Sequence, residues 1–174
     1  MGAARRPRDH ALTAPVLSVA GAEVLDEVRA LYLEMRDHHA AVAPHFGPVR
    51  SDDDAWARRT ASYLRWLDDD PLAHVLVARD PDGVAVGYAF THVADGMPGW
   101  REPTRLGIVD TLAVTADRRG EGIGRLLLDG VYVQLAPHGI TTVALDVVAT
   151  NAGARRFYER EGLTPRTITY WGSR

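Results

Sequence analysis

Hydrophobic positions in the first third of the chain recur at helical spacing. One apolar stripe predicts an amphipathic helix over 22–36. The stretch 37–48 holds two prolines and a glycine, so we expect it to interrupt the helical pattern. A second helix is predicted to begin at Ser51, because a serine followed three residues later by an acid resembles a capping box. This second helix should end before Pro71.

Further along the chain the hydrophobic pattern changes to the shorter period of strands. The turn sequence Asp80-Pro-Asp-Gly83 predicts a hairpin between two β-branched runs. Helices are predicted from Gly124 to Pro137 and over 151–160. The resulting β-α-α-β-β-β-α-β-α-β order indicates a mixed sheet with helices on both faces. The predicted strands are 16–19, 73–79, 84–92, 106–114, 142–149 and 167–171.

The length and composition are those of one globular domain. The chain has 174 residues, of which 46% are hydrophobic and 25% charged. Residues 1–13 are rich in Arg, Ala and Pro without periodicity, so we expect a disordered tail there and a single domain over 14–174.

Charge and cysteine content exclude several classes of function. The chain has no cysteine, which removes disulfides, thiolate metal sites and a cysteine nucleophile. The net charge of −3 gives no basic field for nucleic acid or an anionic membrane. No apolar run approaches a membrane span, and the Arg-rich start lacks the apolar region of a secretory signal. We therefore expect a cytoplasmic protein without a metal site.

The strongest chemical signal is a glycine-rich segment, 118–124, between a predicted strand and a predicted helix. Glycines there let successive backbone N–H groups turn inward, and the helix N-terminus adds partial positive charge, which suits a phosphate. A tight turn that merely needs glycine is the alternative. A P-loop is excluded, since the chain contains no lysine. A dinucleotide fingerprint fits poorly, because its third glycine would fall on Arg125.

The segment Arg119-x-x-Gly122-x-Gly124 resembles the Gln/Arg-x-x-Gly-x-Gly/Ala pyrophosphate loop of the GNAT N-acetyltransferase superfamily. The preceding residues 112–114 match the Leu-x-Val strand end of that family. Downstream, residues 151–163 resemble its Asn-x-x-Ala-x-x-Phe-Tyr-x-x-x-Gly-Phe segment, with Leu163 in place of phenylalanine. The matched motifs cover about 106–163, and the remainder agrees only in element order.

This resemblance implies a GNAT fold: a mixed, mostly antiparallel twisted sheet of about six to seven strands flanked by about four helices. A splayed parallel strand pair would hold acetyl-CoA by main-chain hydrogen bonds, and the loop amides would hold its pyrophosphate. Asn151 is either a helix N-cap or a ligand of the pantetheine arm. The residues implied in acetyl-CoA binding are Leu112, Ala113, Val114, Arg119, Gly120, Glu121, Gly122, Ile123, Gly124, Arg125, Asn151, Ala154 and Tyr158.

The resemblance also implies direct acetyl transfer to a primary amine. Tyr158 matches the tyrosine that protonates the CoA thiolate in that family, although a packed tyrosine is the alternative. Asp110 is either a direct or water-relayed base or one half of an ion pair, and period-two alternation places it on the same face as Leu112 and Val114. Alternative bases are His38, His39, His45 and His92.

The sequence does not identify the acceptor amine, and both a small molecule and a peptide remain open as acceptors. Asp68-Asp-Asp70 either attracts a cationic amine or is a solvated charge run, and Trp56 and Trp100 either contact substrate or pack in the core. A non-catalytic acyl-CoA-binding sensor of the same fold is the alternative function. Tyr170 and Trp171 either pack at a homodimer interface or cover an edge strand.

Overall fold

The computed structural model describes residues 14–101 and 103–172, so the tail predicted over 1–13 lies outside the described residues. Five strands and four α-helices follow the predicted order of elements. Short 3₁₀ turns precede α1 and α3 and follow α1 and α3. The elements are β1 (Val16–Ala20), α1 (Leu25–Val42), α2 (Asp52–Asp69), β2 (His74–Arg79), β3 (Ala85–Asp95), β4 (Arg105–Val114), α3 (Ile123–Leu135), β5 (Val143–Ala144) and α4 (Ala152–Arg160).

The five strands form one sheet in the order β1-β2-β3-β4-β5, with helices against both faces. All neighbouring strands are antiparallel except β4 and β5, which are parallel. Side chains of α1 and α2 pack with Val77 and Phe90 on one face, and α3 packs with Leu76 and Ala89 on the other. Alternate residues of each strand thus supply two separate apolar cores, as a sheet covered on both faces requires. The mixed sheet predicted from the element order is confirmed.

The helices agree with the sequence pattern apart from shifts of one to three residues and one larger difference at the end of the first helix. Ser51 caps α2, since its Oγ accepts a hydrogen bond from the N–H of Asp54. The first helix continues to Val42 instead of ending near 36. The first residue without a backbone N–H to donate to the helix is Pro44. No helix within 14–101 and 103–172 combines the length and apolar character needed to cross a membrane.

Two strand predictions differ from the structure. The strand predicted over 142–149 is reduced to Val143 and Ala144, and 167–171 forms no strand. A strand persists only where a neighbour pairs with its backbone, and β5 meets β4 over two residue pairs before the chains diverge. Residues 167–171 pair with none of the described strands, and Tyr170 and Trp171 are both 89% exposed. The described sheet therefore has five strands, not the six to seven expected.

Candidate functional site

The turn between β4 and α3 depends on two glycines with left-handed backbone conformation. Gly120 and Gly122 have φ values of +87° and +85°, which cost an L-residue roughly 1–2 kcal/mol. Gly122 is the N-cap of α3 and contributes no side chain to cap it. The glycine spacing in the sequence is thus explained by the path of the backbone.

The same turn leaves a row of backbone donors unused. The amide N–H groups of residues 120–125 donate no hydrogen bond to any residue within the described ranges, and the first helical bond of α3 comes from Leu126 to Gly122. The macrodipole of α3 adds partial positive charge at this end. Unpaired amides at a helix N-terminus form a ready anion site. The geometry therefore suits a phosphate or pyrophosphate.

Arginines surround this turn, but each already has partners. Arg118 donates to Glu121 at 2.7 Å, and that bond raises its pKa further above the usual range. Arg119 donates to the carbonyl of Val114 and lies 3.3 Å from Glu34, while Arg125 lies 3.6 Å from both Asp129 and Glu161. The amides are therefore the donors at this turn that make no bond within the described residues, whereas each guanidinium is shared with a carboxylate or carbonyl.

Glu34 also shapes the β4–α3 turn, although the sequence motifs gave no sign of this role. It projects from α1 onto the start of the turn, where its carboxylate accepts hydrogen bonds from the N–H of Ala116 at 2.6 Å and from the hydroxyl of Thr115 at 3.2 Å. It also accepts from Arg119. Glu34 therefore ties α1 to the β4–α3 turn. A single glutamate in an amphipathic helix gives no sequence signal of a contact across more than 80 residues.

The parallel strands β4 and β5 separate well before β4 reaches the turn. Their pairing is limited to Gly107 with Val143 and Ile108 with Ala144, whereas β4 continues to Val114. The part of β4 that includes Leu112 and Val114 consequently has a strand neighbour on the β3 side alone within the described residues. An extended ligand could add to this free edge by main-chain hydrogen bonds.

Helix α4 lies beside the glycine turn and brings the second sequence motif to the first. The ring of Phe157 packs on Gly124, where an added Cβ would lie 3.2 Å from the ring. Arg125 and Glu161 form a further contact between the two helices. Close packing of α4 thus favours a very small residue at position 124, and the two motifs lie against each other.

Asn151 begins α4 and is 7% exposed. Its Oδ1 accepts a hydrogen bond from the N–H of Ala154 at 3.0 Å, which is the N-cap interaction expected from the sequence. The side-chain NH₂ group of Asn151 donates to no residue in the described part of the chain. The cap therefore occupies one end of the amide and leaves the other end for a ligand.

Tyr158 is partly buried on α4, with its ring 4.9 Å from that of Phe157. Burial raises the pKa of its phenol to about 12, because the ionised form loses hydration. Its hydroxyl makes no hydrogen bond to residues 14–101 or 103–172. The phenol is thus a neutral donor at physiological pH.

Asp110 occupies a bulge in β4, so its side chain does not lie on the same face as Leu112 and Val114, which is where the sequence pattern predicts it. The register shifts because Phe90 pairs with Thr111 while Thr91 pairs with Val109, so Asp110 is the extra residue. Leu112 and Val114 pack on the α3 side, whereas Asp110 bonds to Arg59 of α2. The bulge interrupts the alternation and turns Asp110 toward α1 and α2.

Both hydrogen bonds of the Asp110 carboxylate use Oδ2. Arg59 donates one from its Nη1, and the hydroxyl of Thr111 donates the other at 3.3 Å. Oδ1 accepts none within the described residues. The ion pair that the sequence left as an alternative is therefore present, and one oxygen of Asp110 stays open to a further donor.

A chain of buried hydroxyls supports this position. The hydroxyl of Tyr63 donates to Thr111 at 2.6 Å and lies 3.2 Å from the hydroxyl of Tyr88. Burial raises the pKa of Tyr63 to about 12 and that of Tyr88 well above its usual value, so both remain neutral. Arg59 lies over the rings of Tyr63 and Tyr32, at 5.5 and 5.4 Å. Arg59 could not be identified from the sequence, because there it is indistinguishable from the other polar residues of the second helix.

The remaining candidates are dispersed. Burial and the neighbouring His38 lower the pKa of His39, which lines a cleft between α1 and α2. His92 stacks on Trp66 at 4.4 Å, and His45 packs against Phe46.

The proposed acceptor residues also separate in the structure. Trp56 is buried in the core, whereas Trp100 is largely exposed. Asp70 accepts hydrogen bonds from the backbone N–H groups of Leu72 and Val93. The last acid of the run is therefore a structural cap that joins α2 to β3.

The sheet is mixed and covered on both faces, a glycine turn follows β4, and β5 diverges from β4. These features are the ones expected of an N-acetyltransferase with the GNAT fold. The profile of the Acetyltransferase (GNAT) family matches residues 29–163, and the chain belongs to that family. The family resemblance carried by the loop and α4 motifs is thereby confirmed.

Relatives and solved structures agree with this assignment. The chain is 34% identical over 129 residues to a mycothiol acetyltransferase of Propionibacterium freudenreichii, a match covering 73% of this chain and 38% of that protein. The chain thus spans less than half the length of the curated mycothiol acetyltransferases it matches.

Among solved structures, a mutant BH1408 protein from Bacillus halodurans superimposes with a TM-score of 0.76 at 21% identity, covering 91% of this chain and 98% of that one. An aminoglycoside N-acetyltransferase in complex with CoA gives 0.64 at 15% identity, with 91% and 99% coverage. At these identities the two structures support the fold alone.

Proposed function

We propose that the chain is an acetyl-CoA-dependent N-acetyltransferase that transfers the acetyl group to a primary amine by direct attack. The observation that carries the proposal is the row of unpaired amides at 120–125 beside the free edge of β4. Hydrogen-bond donors for a phosphate, placed next to an open strand edge, fit a long ligand that has a pyrophosphate at one end and an amide-bearing arm. The CoA bound to the related aminoglycoside N-acetyltransferase supports this choice of ligand.

In this proposal each part of the site binds one part of acetyl-CoA. The amides of the turn hold the pyrophosphate, and Arg119 and Arg125 add charge after exchanging their present carboxylate partners. Main-chain groups of 112–114 hold the pantetheine arm. Asn151 donates its side-chain NH₂ to the same arm while its Oδ1 keeps the helix cap.

Asp110 is the proposed base. A primary amine is protonated at neutral pH and attacks only after it loses that proton. The open Oδ1 accepts a hydrogen bond from the ammonium, while Arg59 and Thr111 hold Oδ2 and fix the carboxylate plane. A main-chain N–H near Val114 is the proposed donor to the developing oxyanion.

Tyr158 is the proposed hydrogen-bond donor to the leaving sulfur. Its phenol stays protonated because burial raises its pKa to about 12. A thiol has a pKa near 8.5, so complete proton transfer from this phenol to a thiolate is uphill by about 5 kcal/mol. Tyr158 therefore stabilises the thiolate through a charge-assisted hydrogen bond as the carbon–sulfur bond breaks, and the proton that the attacking nitrogen releases, relayed through water, completes the thiol.

Calorimetric titration with acetyl-CoA and with NADH tests the binding part of the proposal. We expect saturable acetyl-CoA binding and none with NADH, and preferential NADH binding would overturn the assignment. Release of free CoA thiol across a panel of amines then tests catalysis. Tight acetyl-CoA binding without turnover on any amine would favour the acyl-CoA sensor.

A further inference from the structure

Two adjoining clefts lie between α1 and α2 on the side of the sheet that Asp110 faces. They enclose about 210 and 370 Å³ and share Tyr32, Arg36, Val49 and Arg59. Arg50 and Arg58 line the larger cleft, and His39 lines the smaller. No carboxylate from the described residues lines either cleft. The charged side chains that line the walls are therefore arginines, and each of them is also paired with an aspartate nearby.

The carboxylates that pair with these arginines lie outside the clefts. Asp54 bonds to one nitrogen of Arg50 and one of Arg58, and Asp110 bonds to one nitrogen of Arg59. A guanidinium has five N–H donors in a planar fork, so a single carboxylate contact fixes its orientation and leaves other donors unused. The acids thus orient the arginines without filling the clefts.

Arg36 differs from the other three arginines. It is bound by both Asp37 and Asp52, and it also donates to the carbonyl of Arg50. These bonds hold the segment before α2 against α1 and so give the clefts their shape. The donors that remain for a ligand come mainly from Arg50, Arg58 and Arg59.

We propose that the acceptor is a small amine carrying a carboxylate or phosphate, and that this anionic group binds Arg50, Arg58 and Arg59 while the amine reaches Oδ1 of Asp110. The inference rests on the proposed function, since it concerns the acceptor of that same site. Arg59 contacts both the clefts and Asp110, so it separates the anionic end of the acceptor from its reactive end. The unused N–H donors of these arginines favour an anionic ligand over a polycationic amine, which has no acceptor to offer them.

Matched amine pairs test the substrate class. With saturating acetyl-CoA, phosphoethanolamine is compared with ethanolamine, and β-alanine with propylamine, by release of CoA thiol. We expect kcat/KM to be at least tenfold higher for the anionic member of one or both pairs, and the better pair distinguishes phosphate from carboxylate. Equal rates within both pairs, or a preference for spermidine, would overturn the proposal.

Substitution of the cleft arginines tests the site itself. Arg50→Gln combined with Arg58→Gln should raise KM for the preferred anionic amine about tenfold and should change kcat/KM for the uncharged partner amine much less. Both side chains are mostly exposed, so the variant should fold. Arg65→Gln is the matched control, because Arg65 is an exposed arginine of α2 that lines neither cleft.

Binding measurements separate this inference from the proposed function. The preferred anionic amine is titrated into the protein without acetyl-CoA, and acetyl-CoA is titrated separately. Millimolar binding of the amine that the double variant loses supports an anion site even if no acetyl transfer occurs. Unchanged amine binding in the double variant, or weakened acetyl-CoA binding instead, contradicts the assignment of these arginines to the acceptor.

Discussion

Tyr158 and His74 are titratable side chains in mostly apolar surroundings, and burial moves their pKa values in opposite directions. The pKa of Tyr158 rises to about 12 and that of His74 falls, because burial penalises the charged form of each. His74 uses Nδ1 in a 2.8 Å hydrogen bond to the carbonyl of Leu72, while its buried Nε2 has no partner. At the residue scale, burial sets which protonation state each group presents.

Replacing Tyr158 with phenylalanine should lower kcat without weakening acetyl-CoA binding. The hydroxyl bonds to no described residue, so its loss leaves the packing beside Phe157 intact. A hydrogen bond to a charged group contributes about 1.5–3 kcal/mol, which corresponds to a roughly 10- to 100-fold loss of turnover. The effect is measured as the rate at which free CoA thiol is released with both substrates at saturating concentration. Unchanged kcat would remove Tyr158 from the reaction.

His74 should make the protein less stable as the pH falls. Its folded pKa lies below the ordinary value of about 6.5, so the unfolded chain binds the proton first. The stability that neutral His74 contributes is therefore present above pH 6.5 and is lost as the pH falls through its folded pKa. In urea unfolding at pH 7.5 and 5.0, His74→Leu should show a smaller decrease than wild type. The exposed His138→Gln should behave like wild type.

At the scale of elements, the ends of helices carry the candidate chemistry. The N-terminus of α3 offers unpaired amides, the N-terminus of α4 is capped by Asn151, and the end of α2 is joined to β3 by Asp70. At α3 and α4 the groups that hold the element in place differ from those left open to a ligand, whereas Asp70 is structural alone. The β4–α3 turn is the clearest case, because glycine is needed there for conformation and again for access to the amides.

Gly122→Ala separates these two requirements when it is compared with Gly139→Ala. Both glycines have positive φ, +85° and +71°, and an added Cβ would meet no atom within 4 Å at either position. We expect each change to lower the free energy of unfolding by about 1 kcal/mol. Gly122→Ala alone should also weaken acetyl-CoA binding, by about tenfold, in calorimetry. Equal acetyl-CoA affinity in the two variants would argue against an amide cradle at this turn.

At the scale of the whole molecule, the Arg59–Asp110 pair joins α2 to the bulge of β4. The two residues are 51 positions apart, and both side chains are partly buried. The pair links the cleft side of the molecule to the strand whose free edge lies beside the glycine turn. The acceptor side and the acetyl-CoA side of the proposed site therefore meet at one contact.

A double-mutant cycle measures this link. Arg59→Gln and Asp110→Asn should each lower the free energy of unfolding by about 2 kcal/mol, because each leaves a partly buried charge without its partner. The double variant should lose less than the sum, with a coupling energy of about 1–2 kcal/mol. Asp110→Asn should also reduce acetyl transfer far more than it reduces acetyl-CoA binding. Additive losses would mean that the pair contributes nothing measurable.

Sequence patterns predicted local structure well and cross-chain contacts poorly. Some features depend only on residues a few positions apart, so the local sequence was enough to predict them. They are the Ser51 cap, the Asp80–Gly83 turn and the Asn151 cap. The bulge at Asp110 depends on how β4 pairs with β3, and alternation alone put its side chain on the wrong face. The strand expected at 167–171 has strand-forming residues but no neighbouring edge, so propensity overestimated it.

What the sequence by itself determined is the family, the order of elements and the glycine turn with its row of amides, because these depend on local conformation and on a motif of fixed spacing. Tertiary structure alone decided which side chains meet across the chain. It brought Glu34 to the turn, Arg59 to Asp110 and four arginines around the α1–α2 clefts. Such contacts depend on how helices pack on the sheet, and no periodicity within a single helix specifies its partner.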